Sequence, residues 1–229
     1  HLSIRRQRQM CIRDSSRPLP KPLTQLKDGR SIMGQQIDNL KLAFGQNYRL
    51  STVVGFKLEA IVERFPEATY VYNEVYDQTN TSKSLLRALK ASAEGGVLWM
   101  NGDVVFDPEV LRRVTPMINA DESFVVVNHS SVAEEEVKYT LDADGFVAEL
   151  SKTVVGGLGE AVGINFVSSK DKGAIIKRLD EVADQDYFER GLELAIANGE
   201  AKFKAVDISD LYAVEVDFAE DLVRANEAL

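Results

Sequence analysis

From Ser16 onward the apolar positions alternate between two rhythms, short contiguous runs and helical spacing. Ser31 is placed to cap a helix whose apolar positions are Ile32, Met33, Ile37, Leu40 and Phe44, with Gly45 as its stop. Leu50 to Val54 is a short apolar strand, and a helix around Leu58 to Phe65 ends at Pro66. Ala68 to Tyr72 is β-rich, and the next helix, about Ser82 to Ala93, stops before Gly95-Gly96. Val97 to Met100 is an all-apolar run after glycines, the pattern of a buried parallel strand. Asp107-Pro108 opens another helix, with Asp as cap and Pro at the first helical position. Phe124 to Val127 is again a buried strand. Val137 to Leu141 and Phe146 to Leu150 then flank Ala143-Asp144-Gly145 as an antiparallel hairpin. After Ala161 to Val167 come helices near Lys170 to Val182 and Tyr187 to Ala197. Strands Phe203 to Ile208 and Ala213 to Val216 lead into a final helix from Phe218. The pattern predicts one α/β domain with a Rossmann-like, mostly parallel (mixed) sheet and an antiparallel hairpin insertion.

Composition narrows the function classes. Of the 229 residues 45% are hydrophobic and 28% charged, an ordinary globular balance. No apolar run reaches the roughly 18 residues of a membrane span, so no membrane partner is expected. The net charge of −9 argues against a nucleic-acid partner, and a cytoplasmic location is expected. One cysteine excludes both a disulfide framework and a cysteine-based zinc site.

Residues 1–15, HLSIRRQRQMCIRDS, share neither periodicity nor charge balance with the rest. They lack the apolar stretch of a signal peptide. Arg5 to Ser15 back-translates as the end of a transposon-library sequencing adapter, so this segment is expected to be non-native. The domain then comprises residues 16–229, truncated at its N-terminus. Without the segment the chain keeps no cysteine and one histidine, His129.

Four places suit phosphate chemistry. Prolines on both sides of Lys21, in Arg17-Pro18-Leu19-Pro20-Lys21-Pro22-Leu23, stiffen the backbone and pre-position a cation; a proline-rich surface connection with a solvated lysine fits as well. Asn101-Gly102-Asp103 follows an apolar strand, where open α/β sheets bind ligands. A lone carboxylate there suits Mg²⁺, which takes one or two protein oxygens plus water and phosphate, or it is simply a turn aspartate. Asp217 ends the last strand and is either a second Mg²⁺ ligand or, with Glu220, a helix cap. The polar run Asn73 to Ser82, with Tyr76, Thr79 and Asn80, offers groups for recognising a base, or for turning the chain and capping a helix. Lys152 and Glu160, taken singly, read as solvated charges. The Gly156-Gly157-Leu158-Gly159 stretch is a loop without a phosphate-binding pattern.

Taken in order, these pieces resemble the nucleotidyltransferases, in particular the choline-phosphate cytidylyltransferase-like branch. Pro20-Lys21-Pro22-Leu23 is similar to its PKPL segment, Tyr76 to Leu85 to its Y-x-x-T-N-N-x-x-S-L element, and Asn101-Gly102-Asp103-Val104 to its N-G-D strand. Phe106-Asp107-Pro108, Ser151-Lys152, Glu160 to Ile164, Tyr187 to Leu194 and Val214 to Leu222 align with later elements. The resemblance implies transfer of a nucleotidyl group, CMP from CTP first, to a phosphomonoester such as phosphocholine, with release of pyrophosphate. It implies Mg²⁺ held by Asp103 and Asp217, and Lys21 at the α-phosphate. It implies Thr79, Asn80, Gly102 and Lys152 on the nucleotide and Tyr76, Glu160 and Tyr187 on the acceptor; a homodimer is compatible with it. A sugar-1-phosphate nucleotidyltransferase and a nucleotide-binding homologue without catalysis are the alternatives. Members begin with a strand and a G-x-G-x-R loop before PKPL. Neither is found ahead of Pro20, so the chain as written is expected to be impaired. Thr81 and Lys83 also depart from the branch, where an asparagine and a frequent aromatic stand.

Overall fold

The computed structural model describes residues 19–130 and 136–229. The adapter-like segment, with Arg17 and Pro18, lies outside the described residues. Seven helices are described: α1 (Ile32–Phe44), α2 (Leu58–Arg64), α3 (Thr81–Ala91), α4 (Glu109–Asn119), α5 (Lys172–Glu181), α6 (Phe188–Ala197) and α7 (Ala219–Ala228). The ten strands are β1 (Ser51–Val54), β2 (Thr69–Tyr72), β3 (Val97–Met100), β4 (Val104–Phe106), β5 (Phe124–Asn128), β6 (Lys138–Leu141), β7 (Val147–Ser151), β8 (Gly159–Val167), β9 (Lys204–Asp207) and β10 (Ala213–Glu215).

Six strands form the central mixed sheet, in the order β7-β6-β8-β5-β9 with β3 on the other edge of β8. β8 runs antiparallel between β3 and β5, and β5 is parallel to β9. The carboxyl ends of β3, β5 and β9 therefore share one edge. The β6–β7 hairpin is antiparallel and joins through the amino end of β8. β1 and β2 form a separate parallel pair, and β4 pairs antiparallel with β10.

The two-residue alternation of a strand builds both faces of the core. Val125 and Val127 pack with Leu85, Leu89, Ile175, Leu179, Phe188 and Leu192, whereas Phe124 and Val126 pack with Leu40, Val110, Leu111 and Val114. Helices thus cover both faces of β5, which explains its unbroken apolar run.

Three expectations are corrected. The neighbour of β3 is the antiparallel β8, not a parallel strand; burial on both faces makes a strand apolar whichever way its partner runs. β4 was not anticipated, because three residues are too short to carry a period. The final helix is not capped by Asp217 with Glu220. The Asp221 carboxylate accepts from the backbone N–H groups of Asp217 (3.0 Å) and Phe218 (2.7 Å), which leaves the Asp217 side chain to act elsewhere. The expected Asp107 cap is present, its Oδ1 accepting from the Glu109 N–H at 2.8 Å.

Candidate active site

Three chain segments converge beyond the carboxyl end of β3. Pro20 opens a 3₁₀ turn over Lys21–Leu23, closed by the Leu23 N–H to Pro20 C=O bond of 2.9 Å. Proline fixes φ on both sides of Lys21, so the side chain leaves a stiff turn. Its Nζ lies 3.1 Å from Asp103 Oδ2 and also bonds Asp217 Oδ1. The two aspartates meet because β4 and β10 are paired, Val104 opposite Glu215, and because the Val216 N–H donates to the Asp103 C=O at 2.9 Å.

Small residues let these segments approach. A Cβ on Gly102 would stand 3.0 Å from Pro22 Cγ, so the PKPL turn lies directly on the N-G-D loop. Gly163 has φ +73°, and a Cβ there would stand 2.6 Å from Asn101 Nδ2. That amide donates instead to Glu215 Oε1 at 3.1 Å. Behind the loop, buried amides of α1 hold its backbone. Gln36 Nε2 donates to the C=O groups of Asn101 and Val104, both at 2.8 Å. Gln35 and Asn39 both donate to the Phe106 C=O. Sequence reasoning missed this trio, and their only signal is three amides within an otherwise apolar helical stripe.

The charges are strongly interdependent. Burial alone would depress the Lys21 ammonium, but Asp103 and Asp217 outweigh it and hold its pKa above the usual lysine range. Burial raises the Asp103 carboxyl against the opposing pull of Lys21. Glu215 is pushed up to about 8, by burial first and then by Asp103, Asp217 and Glu136.

The other candidates fall into two groups. In the Asn73 to Ser82 loop, Thr79 Oγ1 donates to the Val75 C=O at 3.0 Å and accepts from Asn73 Nδ2 at 3.1 Å. Asn80 caps α3 through the Thr81 N–H (2.8 Å) and donates to the Gln185 C=O (3.2 Å). Both side chains are thus engaged within the protein. Tyr76 lays its ring over Gly55, where a Cβ would stand 2.5 Å away, and remains substantially exposed. In the second group Lys152 Nζ lies 4.9 Å above the ring of Tyr187, a cation–π pair. Glu160, at the amino end of β8, is opposite Asn128 and Lys138.

Glu189, just after Tyr187, was not anticipated. Burial pushes its carboxyl up to about 7, Lys152 opposing and Glu193 adding, and its Oε2 is buried without a hydrogen-bond partner. A carboxyl whose folded pKa lies above its unfolded value favours folding below the unfolded pKa and loses that contribution as pH rises through about 7. Glu189→Gln is therefore expected to stabilise the fold at pH 8 by roughly 2–3 kcal/mol and to change little near pH 4. Urea unfolding at the two pH values measures this.

No protein-family model and no curated protein matches the chain. Solved structures do. The inositol-1-phosphate CTP transferase from T. maritima superposes with a TM-score of 0.72 at 15% identity, covering 92% of this chain and 89% of that one. This chain shares the fold of that transferase. The CTP:phosphocholine cytidylyltransferase from Streptococcus pneumoniae gives a TM-score of 0.69 at 19% identity, over 92% and 90% of the two chains. A UDP-glucose pyrophosphorylase complexed with UDP-glucose gives 0.71 at 11% identity, over 92% and 90%. At these identities the likeness shows a shared fold alone. No helix among the described residues is long and apolar enough to cross a membrane.

Proposed function

We propose that this chain is a nucleotidyltransferase that joins a nucleoside triphosphate, CTP first, to a phosphorylated small molecule. The observation that carries this reading is the convergence of Asp103 and Asp217 on one cation, Lys21 Nζ, at the carboxyl edge of a nucleotidyltransferase fold. A phosphomonoester oxygen attacks the α-phosphorus, the bond from that phosphorus to the bridging oxygen of the β-phosphate breaks, and pyrophosphate leaves. The attacking phosphate is already anionic, so no side chain has to remove a proton.

The donor set fits Mg²⁺. Two carboxylates already face one positive centre, and Mg²⁺ asks for one or two of them, with phosphate and water supplying the rest. Among the described residues no three His, Cys, Asp or Glu side chains form a metal-binding group. When bound, the ion would supply neutralisation of phosphate charge. Lys21 offsets the charge that grows on the α-phosphate, and its proline-flanked turn limits the entropy lost in doing so. Gln36 and Gly102 hold the loop that carries Asp103. In this reading Thr79, Asn80, Gly102 and Lys152 serve the nucleotide, and Tyr76, Glu160 and Tyr187 the acceptor. The domain is residues 16–229, and a genomic read made without transposon adapters tests whether residues 1–15 belong to it.

The acceptor class is open to a direct screen. Protein expressed from its genomic reading frame is offered CTP, UTP or dTTP with phosphocholine, inositol 1-phosphate or glucose 1-phosphate, and pyrophosphate is measured. Release that requires CTP and an alkyl or polyol phosphate supports the reading. Release with UTP or dTTP and glucose 1-phosphate moves the chain to the sugar-phosphate branch. Nucleotide binding with no release for any pair would overturn it.

A further inference from the structure

The loop that carries Thr79 and Asn80, proposed for the nucleotide, and the helix start that carries Tyr187, proposed for the acceptor, are stitched together. The Asn80 N–H donates to the Asp184 C=O at 2.7 Å, and Asn80 Nδ2 to the Gln185 C=O at 3.2 Å. Gln185 Nε2 returns to the Gln78 C=O at 2.5 Å, and the Phe188 N–H donates to Thr81 Oγ1 at 3.1 Å. At the centre is a buried lysine. Lys83 is 8% exposed, and its Nζ donates to the C=O groups of Leu179 (3.0 Å), Asp180 (3.3 Å) and Val182 (2.6 Å). Those carbonyls lie at the C-terminal end of α5, where helix geometry leaves acceptors without intrahelical donors and the dipole favours a cation.

Lys83 thus fixes where α5 ends and where the 183–187 turn begins, and that turn delivers Tyr187 and the first residues of α6. Lys83 itself sits on the first turn of α3, three residues after Asn80. One ammonium ties the two segments at their bases. An aromatic or aliphatic side chain at this position would leave three carbonyls without a charged donor.

We propose that Lys83 is a positioning residue that makes the Asn73–Ser82 loop and the 183–189 segment one mechanical unit, so that the nucleotide side sets the geometry of the acceptor side. The consequence for catalysis rests on the function proposed above; the coupling itself does not. A lysine reaching three carbonyls works by geometry, so losing it loosens placement without removing a group from the reaction.

The test compares Lys83→Met and Lys83→Arg with the parent protein expressed from its genomic frame. Amide hydrogen exchange, followed without ligand across low urea concentrations, reads whether peptides covering 73–82 and 183–190 open together. They are expected to open as one unit in the parent and in Lys83→Arg, and separately in Lys83→Met. Steady-state kinetics then separate the substrates. Lys83→Met is expected to raise KM for the phosphomonoester about tenfold with KM for the nucleotide changed far less, and Lys83→Arg to restore most of the difference. The α3–α5 contacts of Lys172 with the Ala93 C=O (2.7 Å) and Lys90 with Asp180 (2.9 Å) remain to hold the fold. Should Lys83→Met still fail to fold, Gln185→Ala cuts only the bond to Gln78 and carries the same expected direction at smaller size. Joint opening in the uncharged variant overturns the proposal. So does separate opening with both KM values unchanged, which would make the lysine a stability device alone. A parent protein that turns over no substrate pair refutes the proposed function, while the exchange result still decides the coupling.

Discussion

Asp103→Asn is expected to lower pyrophosphate release by at least about 10³-fold while leaving the fold in place. Loss of one preorganised electrostatic contact at a developing charge costs roughly 3–4 kcal/mol, and the loss of half a carboxylate pair adds to it. Asparagine keeps the shape of the side chain and the backbone bond from the Val216 N–H to the residue 103 C=O. The Gln36 bonds to Asn101 and Val104 are also untouched, so the loop should hold its course. Burial raises the Asp103 carboxyl, so its charge is costly in the free protein and the neutral amide relieves that cost. Thermal unfolding of the variant should therefore match or exceed that of the parent even as activity disappears. Retained pyrophosphate release would remove Asp103 from the site, and loss of activity together with loss of folding would leave only a structural role for it.

Much of this site is legible in the residue string, and the legible part has a physical reason. Val97 to Met100 is apolar because both its faces are covered, and the glycine of Asn101-Gly102-Asp103 stands where Pro22 comes close. Lys21 stands out because prolines on both sides advertise a fixed backbone. What the string withholds is pairing between distant segments. Whether Asp217 caps a helix or meets a cation depends on Asp221 taking the backbone N–H groups, and no local pattern decides between two acids four residues apart. Asn80 carries the same ambiguity; the structure shows it capping α3 and holding the 183–186 turn. In the sequence Lys83 is only a departure from the branch's frequent aromatic; its three carbonyl partners come from α5 and the residue after it, far along the chain. The partner of β3 is equally hidden, because an apolar run records burial and not strand direction.

Lys21→Met is expected to act in two opposite directions, and this separates its role from that of the aspartates. Without the ammonium, charge growing on the α-phosphate loses a preorganised partner, and turnover should fall by about two to three decades. The same change leaves Asp103 and Asp217 facing each other without a cation between them. Like charges held together bind a divalent ion more strongly once an internal competitor is gone. Titration of Mn²⁺ into the nucleotide-free protein, followed by its paramagnetic signal, should accordingly show tighter binding in Lys21→Met and weaker binding in Asp103→Asn. A lysine that merely stapled the PKPL turn to the N-G-D loop would behave differently. Its loss would free the turn and lower activity without a gain in Mn²⁺ affinity, and Lys21→Arg, which keeps the pairing, would recover activity. If arginine instead restores the thermal stability of the parent but not its turnover, the compact ammonium is needed at the reacting phosphate. That outcome is the expected one, because Nζ reaches both carboxylates as a point charge, and a planar guanidinium cannot take the same position between them.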